Sequence, residues 1–110
     1  MPRLKFKMGV DPWNVCGELL LAIHVAQGVY EEHGYDCVIT SLFDGTHGPN
    51  TLHQRDGICR AVDLRINHLP NEMIVPIHTD IRTALPSCYD VVIEKDHIHL
   101  EYDRHEKKGA

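Results

Sequence analysis

Two separate segments alternate apolar and polar residues with a period of two. They are Cys59-Arg60-Ala61-Val62-Asp63-Leu64-Arg65-Ile66 and His97-Ile98-His99-Leu100-Glu101-Tyr102. A period of two is the repeat of a β-strand, whose successive side chains point to opposite sides of the sheet. In the first segment Val62, Leu64 and Ile66 share one side, and Ala61, Asp63 and Arg65 share the other. In the second, Ile98 and Leu100 share one side, and His97 and His99 the other. Strands of this kind build a sheet with an apolar face to bury and a polar face left over.

The rest of the chain supplies the cover. Residues 14–32 predict a helix, because Leu19, Ile23, Ala26 and Tyr30 fall on one helical face, widened by Leu20 and Val29. Gly34 is placed to end it in the left-handed conformation. Residues 36–41 are β-branched and read as a strand. A turn-rich loop, Asp44 to Asn50, follows. A second helix is expected over 72–85, with Asn71 as its cap and Ile77, Ile81 and Leu85 on one face. Pro76 either kinks that helix or marks its true first turn. Asp90–Glu94 reads as a strand, turned through Lys95-Asp96 into the closing strand 97–102. Residues 1–12 read as an extended lead-in and 103–110 as a frayed tail. The expectation is one α+β domain over residues 1–110, with a mostly antiparallel sheet and two main helices packed on one face.

Composition narrows the function. Over 110 residues the net charge is −5, spread along the chain rather than gathered. That argues against a nucleic-acid or anionic-membrane surface, which needs a basic patch. The four cysteines contain no C-x-x-C pair, so buried free thiols are expected rather than a disulfide framework. The start, Met1 to Lys7, lacks the apolar run of a signal peptide, and no stretch is long and apolar enough for a membrane span. Synthesis in a cytosol is therefore the expectation.

The nine histidines matter through their placement. His97 and His99 face the same side of a strand whose other side suits the core. Asp63 sits mid-strand in an apolar segment, where an unpaired carboxylate is costly. It is either paired with Arg60 or Arg65, or it binds a cation. His53 lies one loop upstream, where the chain can fold back toward Asp63. Two imidazoles and a carboxylate are a donor set that zinc accepts, with a fourth position open for water.

At these residues a resemblance enters. Thr51-Leu52-His53-Gln54-Arg55-Asp56-Gly57-Ile58-Cys59-Arg60-Ala61-Val62-Asp63 resembles the Ser-Leu-His-x-x-Gly-x-Ala-x-Asp motif of zinc D-alanyl-D-alanine carboxypeptidases, phage endolysin peptidases and the hedgehog signalling domain. Asp96-His97-Ile98-His99-Leu100-Glu101 is similar to their closing His-x-His strand. Gly45 to Asn50 is similar to the segment before the first motif in small phage members. The resemblance covers roughly residues 14–103 and implies a hedgehog/DD-peptidase-like fold. It implies a Zn2+ ion held by His53, Asp63 and His99. His97 matches a histidine that supports the site or the developing oxyanion, and His47 another pocket histidine. For the catalytic carboxylate it suggests Glu94 first and Asp96 second.

The chain departs from the family pattern in two places. His53 and Asp63 stand further apart than in the motif, so the extra residues should bulge between Asp56 and Cys59. The arginine that many carboxypeptidases carry after the first strand is replaced by Ser41-Leu42-Phe43-Asp44. Arg60 or Arg65 would then hold a substrate carboxylate, and Arg60 is taken with His47 as substrate-binding. The function implied is zinc-dependent hydrolysis of peptidoglycan peptides, with no nucleic-acid or membrane partner, fitting a phage or prophage enzyme acting on the cell wall. A rival is a zinc-binding structural or interaction domain without turnover, as in hedgehog. A third reading is a plain α+β domain with incidental histidines.

Overall fold

The computed structural model describes residues 2–10, 14–42 and 58–103. Seven elements follow one another: β1 (Leu4–Phe6), α1 (Gly17–Glu32), β2 (Cys37–Ser41), β3 (Ala61–Arg65), α2 (Asn71–Ala84), β4 (Tyr89–Ile93) and β5 (His97–Tyr102). The strands form one sheet in the order β1-β2-β3-β5-β4. Only the β1–β2 pairing is parallel; β2–β3, β3–β5 and β4–β5 are antiparallel. The expected α+β arrangement is present, and the extended lead-in contributes an edge strand, Leu4–Phe6.

Helix α1 buries Leu19, Ala22, Ile23, Ala26, Val29 and Tyr30, the stripe its spacing demands. It ends as expected. Gly34 has φ +90°, its N–H donates to Glu31 O (3.0 Å), and the Tyr35 N–H donates to Tyr30 O (2.9 Å). These two bonds form a Schellman cap, which only a residue tolerant of positive φ closes without strain.

The start of α1 is a correction: the helix begins at Gly17, after Cys16. Residues 14–16 instead lie alongside Cys59, whose N–H donates to Asn14 O while its carbonyl accepts from the Cys16 N–H, both at 3.0 Å. Tertiary pairing outcompetes helix extension here. In α2 the N-cap is Pro70, so Asn71 is the first helical residue rather than the cap. Pro76 lies inside α2, beyond the first turn, at the cost of one backbone hydrogen bond.

Both helices press on the same side of the sheet. Ile39, Val62, Leu64, Val91, Ile98 and Leu100 share one core cluster with the α1 stripe and with Ile77 and Ile81 of α2. The Tyr30 hydroxyl crosses this core to donate to Arg65 O at 2.9 Å, which ties α1 to the end of β3. Leu64 is fully buried, so Leu64→Ala is expected to cost about 2–5 kcal/mol of stability, measured by urea unfolding. A loss below about 1 kcal/mol would place β3 outside the core.

All four cysteines are free; Cys37 and Cys59 are buried, while Cys16 and Cys88 are partly exposed. Burial pushes the Cys37 thiol up to about 12, so it packs as an inert apolar group. None of the described helices is long and apolar enough to cross a membrane.

Candidate metal centre

The site follows from strand parity and one register. Antiparallel pairing places Asp63 of β3 directly opposite His99 of β5, and Arg65 opposite His97. Directly opposed residues share a face, so Asp63, Arg65, His97 and His99 all stand on the side away from the helices. Both strands are interior to the sheet, with β2 beyond β3 and β4 beyond β5. Pairing on both edges holds the two backbones in place.

The side chains converge. His99 Nδ1 lies 3.0 Å from Asp63 Oδ1, and His97 Nε2 lies 3.5 Å from the same oxygen. One donor atom from each of Asp63, His97 and His99 lies within 4.8 Å of the others. Tetrahedral zinc with bonds near 2.1 Å spaces its ligand atoms about 3.4 Å apart, and the two distances to Asp63 bracket that value. The three side chains could hold a metal ion. They are partly buried, with side-chain exposures of 17% for Asp63, 25% for His97 and 22% for His99. That leaves one side of the group open.

Each imidazole has a carboxylate on its far nitrogen. His99 Nε2 lies 2.7 Å from Glu101 Oε1, and His97 Nδ1 lies 2.7 Å from Asp96 Oδ1. The hydrogen bond to Asp63, then that to Glu101, raise the His99 pKa to about 9 against the opposing effect of burial. His97 beside Asp96 holds that carboxyl below its ordinary range.

The raised His99 pKa has a definite sign. The ordinary value is 6.5, so without metal the His99 ion pair stabilises the fold fully below pH 6.5. That contribution is lost as pH climbs through about 9. Binding a cation requires the Nδ1 proton to leave, so metal affinity should rise about tenfold per pH unit over the same window. Thermal midpoints of chelated protein and zinc competition titrations check the two slopes. If both are flat from pH 6.5 to 9, the assigned pairing is wrong.

A cavity of about 330 Å³ adjoins the group, and Asp63, His97, Asp96, Arg65 and Lys7 line it. That volume is at the low end of ligand-binding clefts. Arg65 rather than Arg60 supplies its guanidinium. Arg60 lies just before β3, where its carbonyl accepts from the Tyr102 N–H at 2.9 Å. Glu94 sits at the hairpin, its N–H donating to His97 O at 2.8 Å, with an exposed side chain.

Of the residues singled out by sequence, Asp63, His97, His99 and Asp96 are brought together. His53 and His47 lie outside the described residues, as do the turn-rich loop and, of the expected bulge, Asp56 and Gly57. Glu101 and Lys7 were not singled out. Glu101 had a visible signal, standing two residues beyond His99 and therefore on the same strand face; Lys7 had none, because its approach depends on β1 joining the sheet.

Comparison of the chain with protein-family models, with curated proteins and with solved structures found no match.

Proposed function

We propose that the chain is a zinc-dependent peptidase acting on cell-wall peptides, with the ion held at Asp63, His97 and His99. The observation that carries this reading is the spacing of their donor atoms around one carboxylate oxygen, beside an open cavity. His97 takes a larger part here than the family pattern implies, as the third donor among the described residues. When bound, zinc acidifies water and polarises a carbonyl.

The chain's own groups do the rest. Asp96 is the carboxylate to accept a proton and pass it to the leaving amine. Its side chain is 76% exposed, lines the cavity and is held ionised by His97. Arg65 and Lys7 place positive charge at the same cavity, suited to a substrate carboxylate. The backbone of β3 and β5 holds the metal donors still while substrate enters.

The test is zinc-loaded protein on purified peptidoglycan and on short peptides with free or amidated C-termini. Release of amine, faster from the free acids, is expected. Zinc bound without any cleavage would favour a binding domain instead, and no zinc after metal-supplemented purification would end both readings.

A further inference from the structure

Glu101 is an acidic group of this face that neither the metal donors nor the proton transfer uses. Its side chain is only 19% exposed. Its neighbours in register are Ala61 on β3 and Asp90 on β4, neither of which is a cation. Its hydrogen-bonding partner among the described residues is His99 Nε2 at 2.7 Å. A largely buried carboxylate is costly unless a donor satisfies it, and here one N–H of His99 meets that need.

The same contact constrains the imidazole. His99 has two ring nitrogens, and either can bind a metal. Nε2 carries the proton donated to Glu101, so Nδ1 is the atom free to exchange its proton for an ion, on the side where Asp63 Oδ1 waits at 3.0 Å. A carboxylate on the far nitrogen fixes the tautomer and the ring angle and makes the coordinating nitrogen more basic. The Asp96–His97 contact is different, because Asp96 is exposed and can swing away.

We propose that Glu101 is a positioning residue that locks His99 for metal capture through Nδ1. This rests on the metal-site reading above and deepens it. Because Glu101 acts through His99, its removal should loosen metal binding without unfolding the sheet.

The experiment measures zinc affinity by chelator competition for wild type, Glu101→Gln and Glu101→Ala. It also reads long-range 1H–15N NMR spectra of the histidine rings in zinc-loaded protein. Glu101→Ala should weaken zinc by about 10–100-fold. Glu101→Gln keeps an acceptor oxygen and should recover a large part of the loss. The wild-type spectra should show His99 protonated at Nε2 and bound to zinc through Nδ1.

Far-UV circular dichroism checks that each variant is folded, and the wild-type ring spectrum decides the question even if Glu101→Ala is not. Zinc on Nε2, or affinity within twofold of wild type in a folded Glu101→Ala, overturns the role of Glu101 and leaves the metal site standing. Failure of wild type to bind zinc overturns both.

Discussion

Asp63→Ala is expected to weaken zinc binding by roughly a thousandfold or more, about 4 kcal/mol, the largest single effect on the site. One oxygen of this carboxylate faces both imidazoles, at 3.0 and 3.5 Å. Its removal takes away a ligand and the negative charge that draws a divalent cation between two nitrogen donors. The substitution is tolerable for the fold, because Asp63 stands on the face away from the core and alanine fits a strand. Asp63→Asn separates charge from shape; it should fall nearly as far, since a neutral amide is a poor zinc ligand. Affinity is read by competition with a chromophoric chelator, with circular dichroism as the folding control. Zinc binding undiminished in a folded Asp63→Ala protein would move the metal elsewhere and remove the basis of the proposed function.

Asp96→Asn should lower kcat on peptide substrates by about 10²–10⁴-fold, the usual worth of a general base, with zinc affinity kept within a few fold. Asparagine preserves an oxygen that can accept from His97 Nδ1–H, so it retains the 2.7 Å contact and loses only the proton-accepting charge. That separates proton transfer from mere support of His97, which asparagine would still provide. Glu94→Gln is the matched control. The family resemblance placed Glu94 first, whereas Asp96 is the one that lines the cavity with Asp63 and His97. If Glu94→Gln abolishes cleavage and Asp96→Asn does not, the two roles are exchanged.

Much of the architecture was legible from short-range pattern. The α1 stripe, its Gly34 terminus and the Lys95-Asp96 hairpin all follow from residues within a few positions of each other. Where the reading slipped, a distant partner had intervened. Residues 14–16 carry enough apolar character to extend the helix, yet they pair with Cys59. Leu4–Phe6 reads as extended from its own alternation, but its partner, the parallel edge offered by Cys37–Ile39, is a tertiary matter. Asn71 has the chemistry of a cap, but the chain reaches α2 through Pro70 with extended backbone, so the helix starts one residue earlier than a capping asparagine would place it.

At the site, the sequence alone determined which side chains share a face, because strand parity is local. Alternation alone puts Asp63 with Arg65, and His97 with His99. The sequence also implied a carboxylate and imidazole donor set by resemblance to zinc peptidases. Only tertiary structure decided that Asp63 lies opposite His99 rather than one residue up or down, that Arg65 and not Arg60 reaches the cavity, and that Glu101 closes on the far side of the ring. Register between β3 and β5 joins residues more than thirty positions apart. It is set by how Leu64, Ile98 and Leu100 pack beneath α1 and α2, and no short-range pattern contains that information.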